Sequence, residues 1–281
     1  MSISIEELVN QVGNLPPLPQ AAQKALELIR DPKSNMSSIS DVLAKDQVLT
    51  SLILRMANSV YYGLTYPVST VQQASVVLGQ KTIQSIILAA SVAPYLERPI
   101  PGYGLDRGEL WRHSIGIAAG ARFIAEPFGR DVAETAYHAG LLCDIGKLAF
   151  EFLLRKENLN SANWRSLSFE DLENKYFGIS HADLGAEIAK RWRMSDPIIN
   201  SIKYHHAPKL AGDDVLIASS VHIADAAVMM MGIGIGLDGL QYKLDDFAVD
   251  IVKFDKDKMD NLVSRITDYV GEAEVFIGLK R

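Results

Sequence analysis

Residues 138–148 read HAGLLCDIGKL, and the reading of this stretch decides the fold. It lies in a run of helical period from 133 to 154, so it predicts one long buried helix. Asp144, Gly146 and Lys147 behind two leucines suggest a metal centre within that helix. The residue before the aspartate, however, is Cys143. The stretch is either a working site or the remains of one.

Outward from it, the same period recurs and no segment alternates with period two between turn signals, so the expectation is an all-α protein. In the second half, 110–125, 181–192, 197–206 and 215–231 read as further helices. In the first half, a helix at 4–13 ends in glycine, and LPPLP (15–19) follows as a stiff connector. Pro19 fits the first turn of the next helix, Ser37 or Ser38 the N-cap of another, and Gly79 a C-cap between 71–78 and 81–96. PIPGYGLDRG (99–108) is the strongest breaker cluster. It sets the expected organisation: an N-terminal helical layer at 1–105, a helical core at 106–231, and a C-terminal extension at 232–281 with an amphipathic helix at 255–270. That helix carries Met259, Leu262, Val263, Ile266 and Val270 as its apolar face. The glycine-rich stretch MGIGIGLDGL (231–240) follows a helix and lacks the GxGxxG order, so it reads as a bend in place of a phosphate cradle.

The whole chain bounds the function. Its 281 residues, 48% hydrophobic and 22% charged, are enough for one large core or two modest ones. A net charge of −6 argues against a nucleic-acid partner, whose phosphates demand a basic face. A single cysteine and the lack of a charged-then-apolar leader fit a reducing cytoplasm. The most apolar stretch, 83–96, is interrupted by Gln84, Ser85, Ser91 and Pro94 and is shorter than the roughly 20 residues of a membrane span. No membrane association is expected, and a homodimer is the default assembly.

Chemistry rests on six histidines: His113, His138, His181, His205, His206 and His222. Imidazole and carboxylate are the usual ligands of zinc, iron and manganese, and a site needs several of them converging from separate helices. His113 lies early in one helix, Asp144 late in the next, His181 at a helix start, His205 and His206 at a helix end, and Asp225 in the helix after that. His138 reads as an ordinary helix histidine. His222, three residues before Asp225 and on the same face, is a structural residue with a reserve role as ligand.

This order resembles the HD superfamily of metal-dependent phosphohydrolases: a histidine, then a His-Asp pair, then a distant aspartate. His113, Cys143-Asp144 and Asp225 match it with cysteine in place of the pair histidine. The segments FGISHADLGAEIAKRW (177–192) and KYHHAP (203–208) resemble the additional histidines of two-metal members. LPPLP, DVLAKDQVLTSLILRMANSVYYG (41–63) and VQQASVVLGQKTIQSIILA (71–89) further resemble the HDOD domain, the HD-related output domain of bacterial signalling proteins. The resemblance implies an HD-like helical bundle with an N-terminal helical subdomain, a bacterial source and a regulatory role. Family members generally lack the full metal set and share no established activity.

Carried over position by position, the resemblance implies one ion site at His113, Cys143, Asp144 and Asp225, lacking an imidazole. It implies a second site at Asp144, His181, His205 and His206, with every ligand present. Lys147, three residues after Asp144, is placed to meet a phosphate oxygen. Cys143 is either a thiolate ligand or a small core hydrophobe, and its place after Leu141-Leu142 favours the core. Two functions follow. The first is a non-catalytic signalling module binding a regulatory protein or small ligand. The second is a phosphohydrolase of nucleotides or cyclic dinucleotides that uses one divalent zinc, iron or manganese ion, with Asp144 and Lys147 as its catalytic pair.

Overall fold

The apolar spacing of the first hundred residues becomes a series of short helices, several started by a capping side chain. The computed structural model describes residues 17–31, 33–157, 168–236 and 244–276, so the helix expected at 4–13 and the first two residues of LPPLP lie outside it. The described residues are all-α, and the one β-type pairing is an isolated bridge between Ile100 and Leu105. Among them no helix is long and apolar enough to cross a membrane.

The chain divides into two compact units, one built on residues 17–94 with those from 268 onward, the other on residues 95–267. The first holds α1 (Gln20–Arg30), α2 (Met36–Leu43), α3 (Gln47–Ala57), α4 (Val71–Leu78) and most of α5 (Gln80–Leu96). Pro19 stands just outside α1, as its N-cap. The cap of α2 is Asn35, ahead of the serines expected there: its side-chain oxygen accepts from the Ser38 amide at 2.9 Å. Asn and Ser are comparable caps, and the earlier residue captures the free amides first. Asp46 and Thr70 cap α3 and α4 in the same way, and Gly79 closes α4. Asn58 does more than end α3. Its side chain donates to the Val68 carbonyl at 2.8 Å and accepts from the Val68 amide at 2.7 Å, fastening the intervening loop as a strand partner would.

The second unit is built on α6 (Glu109–Ala125), α7 (Arg130–Leu142), α8 (Lys147–Glu157), α9 (Phe169–Phe177), α10 (His181–Arg191), α11 (Asp196–Lys203), α12 (Val215–Met230), α13 (Asp246–Val252) and the first part of α14 (Lys256–Phe276). Helices α6 and α12 are buried nearly all round, as helices at the centre of a domain are. Small residues bring the central helices close. A Cβ on Gly140 of α7 would stand 3.1 Å from the Ile117 side chain and carbonyl of α6, and one on Gly120 would stand 3.0 Å from Ala224 of α12. On α14, Leu262, Ile266 and Val270 are buried but Val263 is 36% exposed, so the apolar face is narrower than the sequence implied.

The long helix expected from 133 to 154 is broken. α7 stops at Leu142 and α8 starts at Lys147, and the four residues between them turn with the Ile145 amide on the Leu142 carbonyl and the Lys147 amide on the Asp144 carbonyl. The turn packs its backbone on α10: a Cβ on Gly146 would lie 1.9 Å from the His181 carbonyl oxygen and 2.7 Å from the Gly185 nitrogen. Periodicity cannot report such a contact, because Gly146 is tolerated inside an apolar run. The helices expected at 197–206 and 181–192 end sooner too, leaving His205 and His206 in a turn beyond α11.

Gly146→Ala is expected to lose at least about 3 kcal/mol of stability or fail to fold, since backbone of α10 blocks the new methyl. Gly271→Ala, in α14 where a Cβ meets nothing within 4 Å, is expected to be neutral or to gain up to about 1 kcal/mol. Thermal and urea melts of the two variants check this contrast.

Candidate metal centre

Asp144 leaves the turn between α7 and α8 with its carboxylate inside the second unit, 1% exposed. Its Oδ2 lies 3.2 Å from His113 Nε2 and 2.9 Å from Lys147 Nζ, and its Oδ1 lies 3.3 Å from His181 Nε2. His113, from α6, also sets Nε2 3.1 Å from Asp225 Oδ1 of α12. Its other nitrogen donates to the Ile233 carbonyl at 2.9 Å. That bond depends on the described part of the glycine-rich stretch. Gly234, at φ +63°, lies where a Cβ would come within 2.7 Å of the Glu109 carbonyl and 2.8 Å of His113 Cβ. The bend fixes the ring of His113.

A second group of side chains, from α9, α10 and the turn after α11, gathers around His181 beside Asp144. Ser180 starts α10 with a reciprocal capping box to Asp183, which places His181 at the first helical position. Glu173 of α9 accepts from the His181 amide at 2.6 Å and from His181 Nδ1 at 2.7 Å, and its other oxygen accepts from the Tyr103 hydroxyl at 2.6 Å. His206 Nε2 stands 3.0 Å from His181 Nε2. His205 donates from Nδ1 to the Ile202 carbonyl at 2.7 Å, and its Nε2 is buried with no hydrogen-bond partner. His222 donates from Nδ1 to the His205 carbonyl at 2.8 Å and accepts from the Asp245 amide at 2.9 Å. Both of its nitrogens are committed to backbone, so it supports His205 in place of serving as a reserve ligand.

Charge is balanced locally. Burial alone would raise the Asp144 carboxyl, but the Lys147 ammonium and the His113 and His181 rings hold it well below the usual range. Burial alone would lower His113 and His181. Hydrogen bonds to Asp144 and Asp225 hold His113 at about 9, and the Glu173 charge with bonds to Asp144 and Glu173 holds His181 at about 10. Burial and the neighbouring His181 drive His205 down to about 4 and His206 well below its ordinary value. These two rings are neutral and ready to bind, whereas His181, protonated here, would give up its Nε2 proton to a bound ion.

The two ion sites implied by the sequence fare differently as donor sets. His181, His205 and His206 each offer a nitrogen within 4.8 Å of the others, and Cys143, Asp144 and His205 form a grouping of the same tightness. The orphaned lone pair on His205 Nε2 suits an ion held by His181, His205 and His206, with Asp144 Oδ1 beside them at 3.3 Å from His181 Nε2. The other set does not fit one. Cys143 is fully buried and its thiol donates to the Gly140 carbonyl at 3.2 Å. Burial, with Asp144 and Asp225 adding to it, pushes that thiol well above its ordinary value, in keeping with the proton it donates to Gly140. His113 and Asp225 pair with each other instead.

The candidate residues named from the sequence therefore gather around Asp144, with His206 and Lys147 only partly buried. Glu173 and Tyr103 were missed because a glutamate in a polar helix and a tyrosine in a breaker cluster carry no local sign of burial. A charge-bearing residue eight positions before a candidate histidine was the only available signal.

The HDOD domain model matches residues 15–208. Among solved structures, an HDOD domain protein from Geobacter sulfurreducens superposes with a TM-score of 0.71 at 25% identity, covering 98% of this chain and 94% of that one. A candidate signal transduction protein from Marinobacter aquaeolei VT8 superposes at 0.74 with 22% identity, covering 99% and 62%. Among curated proteins, an uncharacterised protein of Treponema pallidum is 22% identical over 71% of this chain and 39% of its own length. A ribonuclease Y of Mycoplasma mycoides subsp. mycoides is 34% identical over 51% of this chain and 22% of its own length. The chain thus spans well under two thirds of the curated relatives it matches.

Lys147→Met removes the one ammonium from a carboxylate that stays buried, and is expected to cost about 2–4 kcal/mol by urea denaturation at pH 7. Lys24→Met, which breaks an exposed pair with Glu27, is expected to change stability by less than about 0.5 kcal/mol.

Proposed function

Because the chain belongs to the HDOD family, whose model covers residues 15–208, we propose that it is a regulatory module acting by binding and not by turnover. The observation that carries this reading is the closure of the centre. Asp144, His113, His181 and His205 are each at most 2% exposed, and Asp144 is engaged by its neighbours through both oxygens. A hydrolytic metal site keeps an open position for water and substrate, and Cys143 removes an imidazole from one half of the set. The signalling description of a structural neighbour supports the same assignment. The module's partner is a regulatory protein or a small ligand, its setting is a bacterial cytoplasm, and its assembly is a homodimer.

One observation favours a second reading, a one-ion phosphohydrolase of nucleotides or cyclic dinucleotides. The unpartnered His205 Nε2 faces a set of donors that suits a divalent zinc, iron or manganese ion. Such an ion would supply Lewis acidity at the centre. Lys147, 14% exposed at its side chain, would meet a phosphate oxygen, and His222 would hold His205 in place. The ribonuclease Y relative adds a short RNA to the substrates worth testing.

Purified protein given manganese, iron(II) or zinc and a panel of phosphomonoesters, cyclic dinucleotides and a short RNA is expected to turn over below about 0.01 per second. Rates above about 1 per second, the ordinary range of enzymes, would sink the regulatory reading. The second reading predicts about one zinc, iron or manganese per chain in protein purified without added metal, and loss of that metal in His205→Gln. Elemental analysis of both proteins decides it.

A further inference from the structure

Glu173 sits at the back of the centre, 2% exposed, and touches none of the donor atoms that face inward. Its position is nevertheless keyed to one of them. A single oxygen, Oε2, accepts from both the backbone amide and the Nδ1 of His181, at 2.6 and 2.7 Å. The ring of His181 is thereby locked to its own main chain, because a flip about the Cβ–Cγ bond would surrender the Nδ1 bond. Only Nε2 is left to face Asp144 Oδ1 at 3.3 Å and His206 Nε2 at 3.0 Å.

Glu173 is itself held. Its Oε1 accepts from the Tyr103 hydroxyl at 2.6 Å, and Tyr103 is fully buried. The turn carrying Tyr103 (Pro101–Tyr103) is pinned where the Gly102 amide donates to Glu151 at 2.7 Å. A Cβ on Gly102 would stand 2.8 Å from Leu154 Cβ, so the turn packs directly on α8. A buried carboxylate is costly unless its charge is answered, and here an imidazole answers it, with its opposite nitrogen set against Asp144 and the His206 imidazole. A histidine whose second nitrogen is bonded to a carboxylate is the arrangement that orients a metal ligand and raises its basicity.

We infer that Glu173, braced by Tyr103, is a positioning residue that presents His181 Nε2 as the anchoring ligand for a single divalent transition-metal ion shared with His205, His206 and Asp144. The inference rests on the one-ion reading of this donor set, and it does not require that the ion do chemistry. Three imidazoles and one carboxylate suit zinc or iron(II), with manganese the weakest of the three. Glu173 also starts α10 through the His181 amide, and an uncharged amide oxygen would still accept both bonds from His181. The negative charge, which raises the basicity of Nε2, is what the metal needs and what glutamine lacks.

The test is a zinc competition titration of chelator-stripped, full-length protein and of Glu173→Gln, repeated in a His181→Asn background. Wild type is expected to bind one zinc per chain, and Glu173→Gln to weaken binding by about 10–100-fold. In the His181→Asn background the same change is expected to cost less than about threefold, the coupling expected of residues that act through one another. Tyr103→Phe, which keeps the buried ring, should show the same coupling with a smaller loss, up to about tenfold, and carries the test if Glu173→Gln does not fold. Equal zinc affinity in wild type and both variants overturns the inference and leaves the one-ion reading standing. A loss of the same size in both backgrounds overturns it as well, since Glu173 would then act on the fold at large. Wild type that binds no zinc overturns the inference and the one-ion reading together.

Discussion

One buried carboxylate organises the second unit. Asp144 is taken out of water at the junction of two helices, and an isolated carboxylate there would cost several kcal/mol. It is tolerated because cationic groups reach it from three elements: His113 from α6, His181 from α10, and Lys147 from the first turn of α8. The two imidazoles are in turn oriented by groups beyond them. Ile233 holds His113, and Glu173 with Tyr103 holds His181. Helices far apart in sequence therefore converge because the charge at the middle requires them.

The break between α7 and α8 makes this possible. A continuous helix would carry Asp144 along a straight apolar face, whereas the turn at 143–146 delivers both its carboxylate and the Lys147 ammonium to the same point. Gly146 permits the turn by letting backbone of α10 approach where any side chain would collide. The close glycine contacts of α6, α7 and α12 work toward the same end, bringing His113 Nε2 within 3.1 Å of Asp225 Oδ1. Packing and electrostatics are thus a single constraint here, and a change in either is felt by the other.

The fold class was legible because helical period, proline and glycine punctuation and capping residues all agree along the chain. The residues of the cluster were legible because histidines are few and their order matches a known pattern. What stayed hidden is set by contacts across the fold. Asn58, the C-cap of α3, also fastens a loop through Val68. Val263 matched the apolar period of α14 yet faces outward. His222 shares a face with Asp225 but has both nitrogens committed to the backbone of other segments. Glu173 gave no sign of burial, since its neighbours Glu170, Asp171 and Lys175 make α9 read as a surface helix. Each of these depends on a partner that local spacing does not encode.

The central claim is that the Asp144 cluster is a closed organising centre that phosphodiesters do not enter. The most direct measurement is the imidazole NMR spectrum of histidine-labelled protein, with the ring signals of His113, His181, His205 and His206 followed as a cyclic dinucleotide is added to millimolar concentration. The account predicts that the four rings keep their positions throughout. A saturable shift confined to those rings would place the ligand at Asp144 and contradict it.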